Sequence, residues 1–289
     1  MGIKKFLGLT GITLASTLVL AACSGNDSAD DANEVRVGIM TKTDATEPIW
    51  DRVEELAEEE GIDLEFTEFT DYTQPNKALK NGEIDVNAFQ HYNFLNDWNA
   101  KNDADLVAAA DTLLSPIHLF SGLDGKEAKY TDVSDIPNGA TISVPNDATN
   151  ESRALYVLQS AGLIELSTSG EEVATLSDIT SNPKDLVIKE IAADQAASTL
   201  TSVDAAVINN NYAIDAGVDY DTSIFTEEKN DSSKQWINVI AAQKGWDTSA
   251  KADAIKVLIK VYQTDEVAKI IKEASKGTDI AIWDGAPEN

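Results

Sequence analysis

The chain has 289 residues and a formal net charge of -28, since 22 Lys and Arg side chains face 50 Asp and Glu side chains. Its length suits one large or two modest domains, and its hydrophobic content of 43% is near the globular average. Such an acidic surface repels phosphate, which excludes nucleic acid and anionic lipid head groups as partners of the folded body. One Cys and two His also exclude an internal disulfide and a zinc site built from Cys and His ligands.

The N-terminal segment predicts export and a lipid anchor. Lys4 and Lys5 precede an apolar run over residues 6–20, which has signal-peptide length and is short for a transmembrane helix. The run ends in Leu20-Ala21-Ala22-Cys23, the pattern of a bacterial lipobox, in which cleavage leaves the Cys as the lipidated first residue. This predicts a signal peptide over 1–22; a stray or buried Cys after an ordinary signal is the alternative.

Residues 23–34 are predicted to form a disordered tether. The stretch from Ser24 to Glu34 carries four acidic residues and no large apolar side chain. Acyl chains on Cys23 would hold the protein at a membrane surface, while its acidity keeps the folded body off the lipid. The sequence therefore predicts a lipid-anchored protein on the extracytoplasmic face of the cell membrane.

The remaining chain alternates strand and helix patterns, which predicts an α/β fold. Val35 to Ile39 is strand-like, and Pro48 starts a helix that ends before Gly61. Alternating apolar and polar side chains over 62–67 predict the next strand, which completes a β-α-β unit. Further strands are predicted at 84–89, 117–120, 140–144, 186–190, 203–208 and 237–241, and further helices start near His91 and cover 150–161, 195–200 and 250–262.

Motifs of the common enzyme classes are missing. The sequence has no G-x-S-x-G nucleophile elbow, no phosphate-binding P-loop or G-x-G-x-x-G, and no H-E-x-x-H. The two His lack a Cys nucleophile, and carboxylates are too numerous for their spacing to nominate an acid and base pair. The sequence therefore predicts no enzymatic activity, no cofactor and no metal site, and an extracellular enzyme is the least supported alternative.

Arg153 is one of three arginines, and the pattern places it in the first turn of a helix that begins near Asn150. A cation is unfavourable there, because the helix dipole already presents partial positive charge at that end. Two interpretations are equally compatible with this position. Arg153 and the helix N-terminus bind a carboxylate ligand together, or Arg153 pairs with one of the many nearby acids.

Aromatic side chains concentrate between residues 66 and 94. Tyr72 and His91 lie in polar sequence at predicted strand-to-helix junctions, which suits the wall of a pocket for an apolar ligand group. For Phe66 and Phe94, taken alone, packing in the core is favoured. The whole cluster comprises Phe66, Phe69, Tyr72, Phe89, His91, Tyr92 and Phe94.

An asparagine run, Asn209-Asn210-Asn211, follows the apolar strand pattern that ends at Ile208. Amides at the C-terminal end of a strand bind an ammonium through their carbonyl oxygens, or make an Asx turn or helix cap. A role in capping a helix is the favoured explanation for at least one of these three asparagines.

Four stretches that include these features resemble the NlpA or MetQ family of methionine-binding lipoproteins. They are FTDYTQPNKAL at 69–79, DVNAFQHYNFL at 85–95, IPNGATISVPNDATNESRAL at 136–155 and VDAAVINNNYA at 203–213. The resemblance implies the substrate-binding protein of a methionine ABC importer, which takes L- or D-methionine and delivers it to the permease and its ATPase. It also implies a two-lobe, periplasmic-binding-protein-like fold of type II with a ligand cleft between the lobes. The first lobe is predicted to comprise residues 35–118 and 240–289, and the second lobe residues 119–239.

The resemblance also assigns roles to single residues. It implies that Arg153 grips the ligand carboxylate and that Asn211 and Asn238 hold the amino-acid backbone. It places four more residues around the side-chain pocket, namely Tyr72, Phe89, His91 and Phe94.

The chain departs from the family at two places. Residues 38–47 lack the short Gly-Pro-type loop that is common elsewhere in the family, and Ser152 stands where Gly is common. Both departures predict a changed pocket wall. A binding protein for another amino acid or a short peptide, and a surface adhesin or antigen with a vestigial cleft, are therefore the alternatives.

Overall fold

The computed structural model describes residues 32–170 and 172–287. The predicted signal peptide, Cys23 and most of the predicted tether therefore lie outside the described residues. Glu34, the last residue of the predicted tether, already pairs with Asp63 in the first strand ladder. Among the described residues, no helix combines the length and the apolar character that a membrane crossing requires.

Strands and helices alternate through most of the described chain. In chain order they are β1 (Glu34–Met40), α1 (Glu47–Glu59), β2 (Asp63–Phe69), α2 (Pro75–Asn81), β3 (Val86–His91), α3 (Tyr92–Asn102), β4 (Val107–Leu114), β5 (His118–Ser121), β6 (Leu123–Asp124), β7 (Glu127–Ala128), β8 (Thr141–Pro145), α4 (Ala148–Ser160), β9 (Glu165–Leu166), β10 (Ile179–Ser181), β11 (Val187–Ile191), β12 (Ala205–Ile208), α5 (Asn210–Asp215), β13 (Ser223–Thr226), β14 (Ile237–Ala242), α6 (Ala252–Tyr262), α7 (Asp265–Ala274) and β15 (Ile280–Ala281). Short 3-10 helices lie at Val133–Asp135, Leu176–Asp178, Ala193–Gln195, Ala197–Thr201, Tyr220–Thr222, Asp231–Trp236 and Trp246–Thr248.

These strands form two large mixed sheets. The first has the order β15-β4-β14-β3-β1-β2, in which β1 runs parallel to β2 and β3, and β14 runs antiparallel to β3 and β4. The second has the order β11-β8-β12-β5-β13, in which β8 runs parallel to its neighbours and β5 runs antiparallel to its own. Two small ladders lie in sequence between strands of the second sheet: β6 with β7 between β5 and β8, and β9 with β10 between β8 and β11.

The chain crosses between the sheets twice. It leaves the first sheet after β4, enters the second at β5 through residues 115–117, and returns from β13 to β14 through residues 227–236. Each sheet with its helices is one lobe, which confirms the predicted two-lobe α/β architecture. The predicted lobe limits, at 118/119 and 239/240, fall inside strands: His118 pairs with Ile208 of the second sheet, and Ile237 pairs with Leu114 of the first.

Strand β14 explains why the first lobe needs helices on both faces of its sheet. Ile240 and Ala242 belong to the core that contains helices α1, α6 and α7. Val239 and Ala241 point to the opposite face and pack in a second core with residues of α2 and α3. A strand that is buried on both faces has a continuous apolar sequence, and the stretch Val239 to Ala242 has this composition.

Helix α1 shows the local signals that the sequence carried. Pro48 lies in its first turn, and the residues on its buried face include Trp50 and Val53. The chain leaves the helix through Gly61 at a φ of +81°, a left-handed conformation that Gly adopts without steric cost. The predicted helix start and stop are therefore confirmed.

Several elements differ from the predictions. Strand β4 and helix α7 are among those that were not predicted. The helix predicted at 195–200 is instead a pair of 3-10 turns, Ala193–Gln195 and Ala197–Thr201. In this stretch the hydroxyls of Ser198 and Thr199 donate to carbonyls three residues earlier, which competes with a regular α-helix.

Candidate ligand-binding cleft

A cavity of about 140 Å³ lies between the two lobes. An engineered cavity of roughly 150 Å³ holds a molecule the size of benzene, so this space suits a small apolar group. The structure brings all seven residues of the predicted ligand site to its wall. They are Tyr72, Phe89, His91, Phe94, Arg153, Asn211 and Asn238. Their part in ligand binding stays a prediction.

Arg153 lies on helix α4 and lines the cavity. It does not lie in the first turn of this helix, where the sequence predicted it. The helix begins at Ala148 and is capped by Asp147, whose carboxylate accepts the backbone N–H of Asn150 at 3.0 Å. Arg153 therefore lies in the second turn. The unfavourable interaction with the helix dipole that the sequence suggested weakens there, because the dipole effect is confined to the first turn.

The guanidinium of Arg153 is held by a partly buried carboxylate. Its Nε donates to Oε1 of Glu227 at 2.9 Å, and its Nη2 donates to Oε2 of Glu227 and to the backbone oxygen of Ser115. The structure thus contains the acid pair that was one of the two interpretations of Arg153. Within the described residues Nη1 makes no hydrogen bond, so one donor edge of Arg153 is left at the cavity wall.

Trp236 covers the guanidinium from one side. Its ring centroid lies 5.1 Å from the central carbon of Arg153, within the range of a cation–π contact. Its ring also meets the imidazole of His91 edge-on, with the centroids 5.0 Å apart. Arg153 is therefore oriented by contacts on two sides before any ligand arrives.

Three aromatic rings form an apolar part of the wall. The ring centroids of Tyr72, Phe89 and Phe94 lie 5.7 to 5.9 Å from one another in tilted and edge-on pairs. Phe66 instead meets Trp50 edge-on at 5.6 Å in the core of the first lobe, as was favoured for it. The sequence also favoured a place in the core for Phe94, but this residue lines the cavity.

His91 is neutral and has both ring nitrogens engaged. Nδ1 accepts the backbone N–H of Phe94 at 3.1 Å and caps α3, which leaves the ring proton on Nε2. Nε2 faces Oδ1 of Asn150 at 3.3 Å. Burial, helped by the charge of Arg153, lowers the pKa of His91 to about 3. A ligand in the cavity would therefore meet the ring of His91 and not a free nitrogen.

The two predicted asparagines differ in their bonding. The hydroxyl of Tyr72, in the first lobe, donates to Oδ1 of Asn211 in the second. Asn238 lies opposite His91 in the β14–β3 register, and its side chain makes no hydrogen bond with the described residues. Tyr72 and Asn211 thus connect the two lobes, while the amide of Asn238 is available.

Sequence reasoning missed a set of polar residues in the wall. Asp279 is buried, accepts from Ser115 Oγ at 2.6 Å and from Asn210 Nδ2 at 2.8 Å, and burial raises its pKa. Asp279 has no local signal, because it joins the site from the far end of the chain. The missed residues are Thr112, Ser115, Asn150 and Asp279. Asn209 and Asn210, which belong to the asparagine run that the sequence indicated, also line the cavity.

The two departures from the family lie in different environments. Met40 and Thr46 of the segment 38–47 line the cavity, so this departure does reach the wall. Ser152 is buried, does not line the cavity, and accepts the backbone N–H of Ala174 at 2.9 Å. Its hydroxyl therefore ties α4 to a loop of the second lobe.

Comparisons with known proteins agree with this architecture. Residues 35–283 match the family model of the NlpA lipoprotein. The chain belongs to the NlpA lipoprotein family. A relative in this family, a probable D-methionine-binding lipoprotein MetQ from Vibrio cholerae, is 36% identical over 95% of this chain and 97% of its own length.

Solved structures of similar proteins have the same fold. The substrate-binding protein of a methionine transporter from Streptococcus pneumoniae is 55% identical, with a TM-score of 0.84 over 87% of this chain and 96% of that one. A nutrient-binding protein from Burkholderia cenocepacia, solved bound to methionine, is 37% identical with a TM-score of 0.78, and the match covers 86% of this chain and 100% of that one. The predicted family and the two-lobe binding-protein fold are confirmed.

Proposed function

We propose that this protein is an extracytoplasmic lipoprotein that captures methionine in its cleft and delivers it to an ABC importer. The observation that carries the proposal is a cavity between the two lobes that combines one free guanidinium edge, amide side chains and three aromatic rings. A zwitterionic amino acid with an apolar side chain needs these three kinds of contact. The names of the relatives, which refer to methionine, support the choice of ligand.

The ligand carboxylate would take the free Nη1 edge of Arg153. A charge-assisted hydrogen bond of this kind is stronger than a neutral one, and it needs no reorientation because Glu227 already holds the guanidinium. Asn211 and Asn238 would contact the backbone of the amino acid through their amides. All three residues line the same cavity, which supports their joint action on one ligand.

The side chain of methionine would lie against the rings of Tyr72, Phe89 and Phe94. A thioether sulfur near the edge of an aromatic ring contributes about 0.3 to 1.5 kcal/mol beyond the removal of the chain from water. His91 adds a further, uncharged ring surface. This wall distinguishes methionine from a polar amino acid such as glutamine, whose amide would find no partner among the rings.

Closure would couple binding to transport. Contacts such as Tyr72 with Asn211 and His91 with Asn150 join the lobes across the cleft, so a ligand that adds contacts to both lobes favours the closed form. Only that form would dock productively on the permease and its ATPase. The signal is then a population shift produced by the ligand's differential affinity for the two states.

The relatives are lipoproteins, and the lipobox gives this chain a matching anchor. Acylation of Cys23 would retain the protein on the extracytoplasmic face of the cell membrane. Two acyl chains suffice for stable anchoring. Replacement of Cys23 by Ala would then release the protein from the membrane fraction.

Calorimetry tests the ligand assignment. The full-length protein, purified in detergent, is unfolded and refolded to remove carried ligand and then titrated with L-methionine, D-methionine, glutamine and a methionine-containing dipeptide. We expect stoichiometric binding of at least one methionine enantiomer and no heat from glutamine. Absence of heat from both enantiomers, with a protein that melts cooperatively, would refute the proposal, and binding of the dipeptide alone would support the peptide alternative.

A further inference from the structure

The mature protein is predicted to contain a single methionine, and this residue lies at the cleft. The chain has two methionines, Met1 and Met40, and cleavage before Cys23 removes the first with the signal peptide. Met40 is the last residue of β1, pairs with Phe69 of β2 and is half-buried. It also lines the cavity between the lobes. The methionine side chain of the mature protein therefore stands at the wall that a ligand would meet.

Met40 belongs to the first lobe but packs against an apolar cluster of the second lobe. The buried residues of this cluster include Phe120 and Ile208 of the second sheet and Tyr212 of helix α5. Tyr72, also of the first lobe, packs against the same cluster, and its ring centroid lies 4.9 Å from that of Tyr212. The contact of Met40 with apolar surroundings thus depends on the two lobes being together.

A thioether at a cavity wall is open to oxidation by a small peroxide. Hydrogen peroxide is little larger than water, and a cavity of about 140 Å³ admits it. The sulfur lone pair attacks one peroxide oxygen, the O–O bond breaks, and both hydrogens leave with the second oxygen as water. Sulfur loses two electrons, and the peroxide is reduced by two. The product is methionine sulfoxide, whose S–O group is polar and accepts hydrogen bonds.

The sulfoxide would act on the balance between open and closed lobes. In the closed protein it would set a polar group against the apolar cluster of the second lobe, whereas in the open protein water would solvate it. A group that is better solvated in one state shifts the population toward that state. We propose that Met40 is an oxidation site, at which hydrogen peroxide forms a sulfoxide that favours the open lobes and lowers the affinity of the cleft for methionine. The inference rests on the proposed function, because it assumes that the cleft binds methionine.

The test uses the full-length protein after removal of carried ligand. It is treated with excess hydrogen peroxide, cleared of peroxide with catalase and titrated with methionine. Mass spectrometry of the tryptic peptide 37–42, VGIMTK, should show the gain of one oxygen atom. The Kd for methionine should rise at least about fivefold, as expected for a polar group placed against an apolar surface. An unmodified peptide, under conditions that oxidise a free methionine-containing peptide, or a modified protein with an unchanged Kd, would overturn the inference.

Met40→Leu is the matched control. It removes the sulfur, keeps an apolar side chain of similar volume, and retains Cys23 and every Trp of the chain. Its Kd for methionine should be the same before and after peroxide treatment. A rise equal to that of the wild type would assign the effect to oxidation elsewhere and contradict the inference.

Met40→Gln keeps the test decisive if the oxidised protein fails to melt cooperatively. Glutamine places a polar group on an unbranched side chain of similar length, without any oxidant. Its Kd for methionine should exceed that of the Met40→Leu protein at least about fivefold, for the same reason as the sulfoxide. Equal Kd values for the two variants would contradict the inference.

The two proposals fail in different ways. An untreated wild-type protein that binds no methionine refutes the proposed function before any peroxide is added. A wild-type protein that binds methionine equally well before and after oxidation of Met40 refutes only the role of Met40.

Discussion

Glu227 holds two of the three guanidinium nitrogens of Arg153 at the wall of the cleft. Both side chains are removed from water, with 4% of Arg153 and 14% of Glu227 exposed. The pair is neutral as a whole, so Arg153 acts on a ligand as a rigid, pre-oriented donor and not as a mobile cation. A buried pair of this kind also makes each partner essential to the other, since an unpaired buried charge is strongly unfavourable.

Arg153→Ala should lower the affinity for methionine by at least ~1.5 kcal/mol, because it removes a charge-assisted contact to the carboxylate. Calorimetry at 25 °C measures this, with a thermal melt to establish that the variant is folded. Arg52→Ala is the control, since Arg52 pairs with Glu55 and Glu266 on the outside of the first lobe. Unchanged affinity in the Arg153 variant would assign this residue to structure alone.

Glu227→Gln should destabilise the empty protein more than the liganded one. The amide offers one acceptor and turns an NH₂ group toward the guanidinium, so the free energy of unfolding without ligand should fall by about 1 to 3 kcal/mol. With methionine bound, the ligand carboxylate partly replaces the lost charge. Urea unfolding with and without saturating methionine measures both values.

The neighbouring residue provides the control for this comparison. Glu228 is exposed, and Glu228→Gln should leave both free energies of unfolding near the wild-type values. An equal loss of stability in the empty and liganded forms of the Glu227 variant would show that the pair of Arg153 and Glu227 does not interact with the ligand.

Tyr72→Phe should shift the empty protein toward an open form. The change keeps the ring in the cavity wall and removes only the hydroxyl that donates to Asn211 across the cleft. The loss of one neutral hydrogen bond lowers the ratio of closed to open molecules by roughly two- to tenfold. Small-angle X-ray scattering of the empty protein should give a larger radius of gyration that methionine restores.

Tyr92→Phe is matched to this variant, because the hydroxyl of Tyr92 donates to Asp111 within the first lobe at 2.6 Å. It should leave the radius of gyration unchanged. The same expansion in both variants would show that the loss of any buried hydroxyl loosens the protein, and would remove the special role of the contact between the lobes.

Stability should fall with acid because two histidines are buried in the neutral form. Burial lowers the pKa of His118 to about 4, and that of His91 to about 3, from an ordinary value near 6.5. Below pH ~6.5 the unfolded chain therefore binds more protons than the folded one, and stability is lost as the pH falls toward the folded pKa values. At pH 5 each histidine costs about 2 kcal/mol relative to neutral pH.

His118→Phe isolates one of these contributions. The ring of His118 stacks on Phe120 and meets Tyr220 edge-on, contacts that a phenyl ring retains. Between pH 7.5 and pH 5 the variant should lose about 2 kcal/mol less stability than the wild type in urea unfolding. Buried acids with raised pKa values, such as Asp279, act with the opposite sign but are common to both proteins. Parallel pH curves would contradict the prediction.

Much of the first lobe could be predicted from local sequence. Pro48 and Gly61 bound helix α1, and the alternating pattern that follows gives β2, because periodicity and turn chemistry act over a few residues. Helix α7 carried a similar signal in its cap Thr264, which the interpretation of the sequence left unused. Strand β4 carried none: its run from Ala108 to Ala110 favours no strand by itself and is extended because it pairs with β14.

For the site, the sequence by itself determined which residue types meet in the cleft, and the resemblance to a family named seven of them. Only the tertiary structure decided which of their atoms are free. Glu227 reaches Arg153 across 74 residues of chain, and Tyr72 reaches Asn211 across 139. Such pairings depend on how two lobes come together, and no local pattern encodes them. Among the described residues they leave Nη1 of Arg153 and the side chain of Asn238 without hydrogen-bond partners at the cavity wall, and both are among the groups that we propose meet the ligand.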